Sequence, residues 1–232
     1  MRVTALIVCA GRGTRMGPGA PKQYRVLGPL PVLRHTAIAF LNHSRISDIA
    51  VVIHKEDRAL YEEAVRGLRL LPPVIGGATR DESVRLGLEA LADTAPDRAP
   101  PDRVLIHDGV RPFVTEETIG AVISALDEAE AAIAAMPVFD TIKSAADGTV
   151  TGTIDRSILW RAQTPQAFRF PTILAAHRAV AGRGDLPPVT DDASVAEALG
   201  IPVRIVQGSE DAFKITTEAD LRRAERHLRG DE

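Results

Sequence analysis

Apolar and polar positions alternate along the chain in two recurring patterns. Short runs of β-branched and apolar residues have the length and composition of strands that are buried on both faces of a sheet. The longer segments between them place apolar residues three and four apart, which is the spacing of an amphipathic helix. The predicted strands cover residues 3–10, 49–53, 104–107, 131–138 and 203–206. The predicted helices cover residues 31–42, 57 to about 69, 79 or 81 to 91, 115–130, 171–180, 189–199 including the caps, and 218 to about 229.

Strand and helix follow one another through the whole chain. This order predicts an α/β fold that is Rossmann-like, with a mostly parallel sheet, helices on both of its faces and right-handed crossovers. The proline-rich residues 96–101 are interpreted as a surface loop, because the same order resumes directly after them. A single domain is therefore expected over residues 1–232. In such sheets ligands bind beyond the carboxyl ends of the strands, so the loops at that edge are the candidate site.

Residues 140–158 depart from this order. Asp147 and Gly148 stand between two runs of alternating residues, which is a strong β-hairpin signal. Both faces of the hairpin carry polar side chains such as Lys143 and Thr153, so it is too polar to belong to the core. We predict a protruding β-hairpin arm. From the residues alone, a solvated excursion without a role is the alternative.

Charge and cysteine content restrict the classes of function. The 28 Lys and Arg residues against 31 Asp and Glu residues give a net charge of −3, so there is no overall basic field to hold nucleic acid or an anionic membrane surface. The one cysteine, Cys9, cannot form a disulfide within the chain, and its apolar surroundings favour an unreactive core thiol. No stretch approaches the ~20 consecutive apolar residues of a membrane span. A cytoplasmic protein is expected.

The loop that follows the first strand has the composition of a phosphate-binding loop. Its glycines allow the backbone N–H groups to approach an anion closely, and its cations add positive charge. The spacing differs from the dinucleotide-binding G-x-G-x-x-G pattern, because Met16 stands where that pattern has its third glycine. It also differs from the Walker loop, because Gln23 stands where that loop has a serine or threonine after its lysine. The alternative is a flexible loop whose basic residues face water. The glycines are Gly11, Gly13, Gly17 and Gly19, and the cations are Arg12, Arg15 and Lys22.

A second polar loop, residues 108–112, follows the strand at 104–107 and should lie beside the first loop. A capped turn would explain it equally well. Further along the chain, Asp191 and Asp192 most simply serve the N-terminus of a helix, and Thr190 ahead of them has a hydroxyl available for a ligand.

Several segments, in this order along the chain, resemble the nucleotide-sugar pyrophosphorylase-like nucleotidyltransferase superfamily. The resemblance is closest to its 2-C-methyl-D-erythritol 4-phosphate cytidylyltransferase family, and P-K-Q-Y points to the cytidylyltransferase branch. The segment H-D-G-V-R-P departs from the usual H-D-A-A-R-P of that family at Gly109 and Val110. The matching segments are AGRGTRMG, PKQY, GGATRDES, HDGVRP, PVFDTIK, IDRSILW, TPQAF, VTDDAS and FKITT.

The resemblance implies transfer of CMP from CTP to methylerythritol phosphate, with release of pyrophosphate, in non-mevalonate isoprenoid synthesis. Arg15 and Lys22 would hold the triphosphate and stabilise charge on the transferred group, with Lys214 as a further cation. Mg²⁺ would bridge the phosphates without dedicated protein ligands. The implied CTP contacts are Ala10, Gly11, Gly13, Gly77, Ser83 and Gly109. The implied acceptor contacts are Asp108, Arg111, Thr141, Arg156, Thr190 and Asp211.

The resemblance also implies a two-fold homodimer. Thr141 and Arg156 of the arm match positions that complete the acceptor site of the neighbouring subunit, and Arg156 is therefore a candidate catalytic residue. Ribitol-5-phosphate cytidylyltransferases share these loops and are an alternative. Nucleotidyltransferases acting on a hexose phosphate or a cofactor, and a non-catalytic nucleotide-binding module, are others. The joint presence of Arg15, Lys22 and Lys214 argues against the non-catalytic module.

Overall fold

A computed structural model of the chain describes residues 1–12, 19–93, 98–183 and 189–230. Its strands are β1 (Val3–Cys9), β2 (Val26–Leu27), β3 (Leu30–Pro31), β4 (Asp48–Ile53), β5 (Val74–Ile75), β6 (Arg103–Asp108), β7 (Ala131–Pro137), β8 (Ile142–Ala146), β9 (Thr149–Ile154), β10 (Trp160–Arg169) and β11 (Val203–Gln207). Its α-helices are α1 (Val32–Leu41), α2 (Arg58–Ala64), α3 (Arg80–Ala92), α4 (Glu116–Ala125), α5 (Phe170–Val180), α6 (Asp192–Glu197) and α7 (Glu218–Arg229).

Seven strands form the central sheet in the order β11-β7-β10-β6-β1-β4-β5. All neighbouring pairs are parallel except those of β10, which runs antiparallel to both β6 and β7. The predicted mostly parallel sheet is thus confirmed. The sequence pattern did not predict β10 as a strand, because its segment WRAQTPQAFR contains a proline and several polar residues.

Helices cover both faces of the sheet, as the α/β pattern predicts. Successive residues of a strand point to opposite faces, and β1 shows this directly. Ile7 and Cys9 belong to the core that contains α1, α2 and α4, whereas Leu6 belongs to the core that contains α3, α5 and α6. Both faces of β1 are therefore buried, which explains its unbroken apolar sequence.

Three predicted helix boundaries are wrong. Helix α2 ends at Ala64 and not near residue 69, and α4 ends at Ala125 and not at residue 130. Helix α6 ends at Glu197 and not at residue 199. The predicted cap of α2 is also wrong, since the Asp57 side chain makes no capping hydrogen bond. That carboxylate instead accepts a hydrogen bond from Arg12 at 2.8 Å.

Helix α7 packs against the small β2-β3 hairpin and forms a third, separate apolar cluster that includes Leu27, Val110 and Ile215. Within this cluster the Ile215 N–H donates to the Val110 carbonyl at 2.9 Å. The segment before α7 is thereby fixed beside the loop after β6. Lys214, the residue directly before Ile215, is thereby placed at the edge of the sheet where ligands are expected.

Strands β8 and β9 form the predicted arm. Asp147 and Gly148 have φ angles of 48° and 77°, and positive φ at both central residues is what the two-residue turn of a β-hairpin requires. The base of the arm exposes large apolar side chains, among them Phe139 and Ile158 at 66% and 74%. In the part of the chain that the structure describes, no helix has the length and apolar character needed to cross a membrane.

Candidate functional site

Two adjoining cavities open at the carboxyl ends of β1 and β6. The first, of about 200 Å³, lies between the loop after β1 and the N-terminus of α3. The second, of about 250 Å³, lies between β10 and the loop before α6. Arg80, Asp108 and Lys214 line both cavities and form the boundary between them. A ligand in one cavity would therefore meet a ligand in the other at these three side chains.

The wall formed by the loop after β1 is held by Gln23. This side chain is buried, and its amide donates to the carbonyls of Cys9 at 2.8 Å and Gly11 at 3.2 Å. Gln23 thus fixes the chain on both sides of Ala10, which lines the first cavity together with Gly11 and Lys22. Sequence reasoning used Gln23 to reject a Walker loop and as part of the P-K-Q-Y segment, and it missed this role. A glutamine directly after the loop lysine was the available signal.

The opposite wall is formed by the turn that leads into α3. Thr79 caps this helix, accepting a hydrogen bond from the Glu82 N–H. The Ser83 hydroxyl donates to the Thr79 carbonyl at 2.8 Å and accepts from the Gly77 N–H at 3.1 Å. Gly77 and Ser83, which were both predicted to contact the nucleotide, line the first cavity. The hydroxyl of Ser83 holds the turn in shape, which sequence reasoning did not foresee.

Asp108 is the centre of the charges at the boundary. Its Oδ2 lies 2.9 Å from Lys214 Nζ and 3.4 Å from Arg111 Nε, and its Oδ1 lies 3.8 Å from Arg80 Nε. Burial by itself would raise the pKa of Asp108, but Lys214, Arg80 and Arg111 outweigh this effect and hold the pKa well below its usual range. Asp108 is therefore ionised and acts as a hydrogen-bond acceptor at neutral pH.

Arg80 and Asp192 form a second ion pair beside Asp108, with Arg80 Nη2 2.7 Å from Asp192 Oδ2. Asp192 also lies 3.3 Å from the Nε2 atom of the buried His177. Both aspartates lie at the N-terminus of α6 as expected, where Asp191 provides the side-chain cap and Asp192 is the acidic residue of the first turn. Sequence reasoning did not assign a role to Arg80, because an arginine at the start of a helix is usually solvated.

The floor of the second cavity comes from β10. Gln166 is buried, and its carbonyl accepts the N–H groups of Asp192 and Ala193, each at 2.9 Å. Its amide donates to Asp191 at 2.7 Å. Thr164 accepts the Asp108 N–H at 3.1 Å. Strand β10 thus fixes the loop after β6 and the loop that carries Thr190, which lines the same cavity.

Not all the predicted site residues meet at the two cavities. Gly109 is not part of either lining, and Arg12 pairs with Asp57 and Glu56 instead of facing the first cavity. Asp211 also lies outside both linings, with its carboxylate 3.6 Å from His227 Nδ1. Thr141 and Arg156 remain on the arm, where Arg156 donates to the Phe139 carbonyl of its own chain. Gly13 and Arg15 lie outside the described residues.

The remaining predicted residues do come together. Ala10, Gly11, Gly77, Ser83, Lys22 and Lys214 line the first cavity, and Asp108, Arg111 and Thr190 line the second. The described lining of the first cavity contains three cations, Lys22, Arg80 and Lys214, against one carboxylate, Asp108. An excess of fixed positive charge at backbone donors suits a polyanion such as a nucleoside triphosphate.

Comparison with known proteins agrees with this geometry. A family model described as IspD, 2-C-methyl-D-erythritol 4-phosphate cytidylyltransferase, matches residues 3–230. A bifunctional enzyme IspD/IspF of Paramagnetospirillum magneticum is 52% identical over 223 residues, covering 96% of this chain and 56% of that protein. A 2-C-methyl-D-erythritol 4-phosphate cytidylyltransferase of Cereibacter sphaeroides is 48% identical over 230 residues, covering 98% and 97%.

Solved structures show the same fold. The crystal structure of 4-diphosphocytidyl-2C-methyl-D-erythritol synthase from Anaerococcus prevotii is similar to this chain with a TM-score of 0.84 and 31% sequence identity. The match covers 98% of this chain and 96% of that one. The chain spans a little over half the length of the bifunctional relatives that it matches.

Proposed function

The chain belongs to the 2-C-methyl-D-erythritol 4-phosphate cytidylyltransferase family, and on that premise we propose that it transfers CMP from CTP to 2-C-methyl-D-erythritol 4-phosphate. The products are 4-diphosphocytidyl-2-C-methyl-D-erythritol and pyrophosphate. The observation that carries the proposal is the pair of cavities that meet at Arg80, Asp108 and Lys214. One cavity suits the nucleotide, the other suits the acceptor, and positive charge lies where the two ligands meet.

The reaction requires a phosphate oxygen of the acceptor to attack the α-phosphorus of the triphosphate. Two unit charges 4 Å apart repel by about 4 kcal/mol at the effective dielectric constant of a partly exposed protein site. Lys22 lines the nucleotide cavity, Lys214 lies at the boundary of the two cavities, and both reduce this repulsion. Arg15 is assigned the same role from the family resemblance. Catalysis is then mainly positioning and stabilisation of charge on the transferred phosphoryl group.

No side chain has to remove a proton from the nucleophile. The second pKa of a phosphate monoester is about 6, so the attacking oxygen is already anionic near neutral pH. Asp108, which its three cationic neighbours keep ionised, can accept hydrogen bonds from acceptor hydroxyls. Thr190 provides a further polar group in the lining of that cavity. These residues would orient the acceptor phosphate towards the nucleotide.

The residues present fit a Mg²⁺ ion that the nucleotide brings with it. Among the described residues no three His, Cys, Asp or Glu side chains are grouped to hold a metal. The one carboxylate in the described lining of the nucleotide cavity is Asp108. Mg²⁺ is commonly bound by phosphate oxygens, water and one or two carboxylates, so Asp108 would be the protein carboxylate available to such an ion. When bound, the ion neutralises phosphate charge and orders the triphosphate.

We further propose a two-fold homodimer in which each arm completes the acceptor site of the partner, with Thr141 and Arg156 as the contributed residues. The exposed apolar side chains at the base of the arm support this, since Phe139 and Ile158 would be buried by a second subunit. The proposal assigns the enzyme to the cytoplasm, a compartment in keeping with a lone, buried cysteine.

The test is a pyrophosphate-release assay in which CTP, UTP, ATP and GTP are each combined with methylerythritol phosphate, ribitol 5-phosphate and glucose 1-phosphate. We expect CTP with methylerythritol phosphate to exceed the other combinations, since the small cavity walled by glycine backbone leaves little room for a purine. Turnover with ATP or GTP within about tenfold of CTP, or ~1.4 kcal/mol, would show that the donor is misassigned. Preference for ribitol 5-phosphate would show that the acceptor is misassigned, while the assignment of cytidylyl transfer would stand.

A further inference from the structure

Arg80 stands at a position where an arginine does not stabilise the helix. It is the first residue of α3, and the positive end of the helix dipole disfavours a cation there. Thr79 already caps the helix, so Arg80 is not needed for that purpose. Its side chain instead crosses to Asp192, the first residue of α6. The position of Arg80 therefore requires an explanation outside α3.

Asp192 is a rigid anchor for that arginine. Its side chain is 1% exposed, and its backbone N–H is held by the buried Gln166. One carboxylate oxygen faces Arg80 and the other faces His177, which is also buried. Burial would raise the pKa of Asp192, but Arg80 and His177 outweigh it and lower the pKa, so the carboxylate remains charged. A fixed, charged carboxylate at 2.7 Å restricts the orientation of the guanidinium.

The Arg80 side chain also borders both cavities. Arginine has five N–H donors, and within the described part of the chain the hydrogen bond of Arg80 goes to Asp192. Its Nε is 3.8 Å from Asp108, which is beyond hydrogen-bond distance. The side chain is 30% exposed and lines both cavities. Donors are thus directed to the place where nucleotide and acceptor phosphates have to meet.

We propose that Arg80 is a catalytic residue that contacts the phosphoryl group being transferred, and that Asp192, supported by His177, is the positioning residue that orients it. The inference rests on the proposed function and adds to it a ligand for the reacting group. In the alternative, Arg80 only neutralises the buried Asp192 and touches no substrate. Replacing Arg80 alone does not separate the two, because the unpaired carboxylate would destabilise the fold in either case.

The discriminating variant is the double substitution Arg80→Gln/Asp192→Asn, which removes both charges and keeps the sizes of the side chains close to the originals. We expect it to recover the thermal stability that Arg80→Gln loses. We also expect its kcat for CTP and methylerythritol phosphate to stay lower than wild type by ~10²–10³, the usual loss for one preorganised donor at a reacting centre. Arg178→Gln is the matched control and should retain wild-type kcat, because it breaks an ion pair with Glu89 and neither residue lines either cavity.

Asp192→Asn provides a second test, of the positioning role. It should lower kcat in the wild-type background and have little further effect in the Arg80→Gln background, because an orienting residue has nothing to orient once the arginine is lost. Equal losses in both backgrounds would show that Asp192 acts without Arg80. Near-wild-type kcat in the double variant would show that the arginine serves only to neutralise Asp192.

Binding of CMP, which carries the phosphoryl group that is transferred, separates this inference from the proposed function because it needs no turnover. In calorimetry the double variant should bind CMP at least roughly tenfold more weakly than wild type, while Arg178→Gln should bind it normally. Undiminished affinity in the double variant would overturn the role of Arg80. A wild-type protein that binds CMP but does not turn over CTP with any acceptor would instead overturn the proposed function.

Discussion

His107 illustrates at the scale of one residue how the site is kept in a single protonation state. The ring is fully buried, with Nε2 3.1 Å from the Arg111 carbonyl and Nδ1 3.0 Å from the Thr164 hydroxyl. A carbonyl can only accept, so Nε2 carries the proton and Nδ1 accepts from Thr164. Burial, outweighing the hydrogen bond to Arg111 and the charge of Asp108, lowers the pKa of His107 from 6.5 to about 4. The neutral ring links Arg111 to Thr164 next to the boundary of the cavities.

This pKa predicts a pH dependence of stability. Between pH 6.5 and about pH 4 the unfolded chain binds a proton at His107 and the folded chain does not. Stability is therefore complete above the unfolded pKa and falls as the pH decreases through this window, by up to about 3 kcal/mol. In His107→Gln this contribution should disappear. Urea denaturation of both proteins at pH 7.0, 5.5 and 4.5 measures the difference.

Other groups do not obscure the comparison. Burial also lowers the pKa of His43, but that residue is present in both proteins. The lowered pKa of Asp108 acts below its ordinary value of 3.8, outside the pH range tested. If wild type and His107→Gln lost stability in parallel between pH 7.0 and 4.5, the ring would not be the neutral group described here.

At the scale of elements, the contact between β1 and the loop after β6 explains a departure from the family pattern. Gly109 is one of the two positions at which the segment H-D-G-V-R-P departs from the motif that it resembles. In this chain the Cys9 sulfur occupies the space that a Cβ on Gly109 would need, and Ile7 Cγ2 would lie 3.2 Å away. The glycine therefore compensates for the volume of the Cys9 side chain on the neighbouring strand. The change lies in the packing beneath the site, so it is not evidence for a different acceptor.

The prediction is that Gly109→Ala destabilises the fold by about 1–3 kcal/mol, as overpacking of a core does. Cys9→Ala/Gly109→Ala should recover most of that loss, because the smaller side chain on β1 makes room for the methyl group. The free energy of unfolding in urea measures both. Gly120→Ala is the matched control, since its nearest neighbour, His43 Nε2, would lie at an ordinary 3.6 Å. A double variant no more stable than Gly109→Ala would refute the compensation.

Most of the elements could be predicted because their apolar residues follow a single period. The strands at 3–10 and 104–107 are continuous apolar runs, and α3 begins at the predicted Thr79 cap. Strand β10 could not be predicted from an apolar period, because several of its buried residues are polar. These residues form hydrogen bonds to loops that are distant in sequence. Helix ends were predicted poorly where the pattern continues into a turn, as after Ala125.

The site could be predicted only as far as its residues follow strands or match family motifs. Lys22 and Lys214 fall into these classes, and both line the first cavity. Arg80, Gln23 and Gln166 were missed, since their roles depend on partners up to 112 positions away, as for Arg80 and Asp192. Conversely, Arg12 was included because of its place in the glycine loop, although Asp57 and Glu56 hold it elsewhere.

At the scale of the whole molecule, the proposed dimer predicts that each active site contains residues from both subunits. A Lys22→Ala homodimer lacks the loop cation at both sites, and an Arg156→Ala homodimer lacks the arm cation at both, so each should be nearly inactive. In a mixed dimer both defects fall in one site and the other site is intact. With equal amounts and free exchange about half the dimers are mixed, so about a quarter of wild-type activity should return.

Pyrophosphate release before and after mixing measures this recovery, and a fluorescent label on each subunit verifies the exchange. Lys55→Ala, which removes an exposed lysine in the turn before α2, is the control for Lys22→Ala and should remain active without mixing. Absence of recovery after verified exchange would mean that Arg156 acts within its own chain or at no active site.

Strand β10 begins at the exposed Trp160 beside the arm and continues through the middle of the sheet, where Gln163, Thr164 and Gln166 line the second cavity. One uninterrupted segment therefore carries both the base of the arm and the floor of that cavity. Over evolutionary time, insertions or register changes at the root of the arm would displace the cavity floor as well. A mutation that changes how the subunits pair would then also change substrate preference, so the two properties would evolve together.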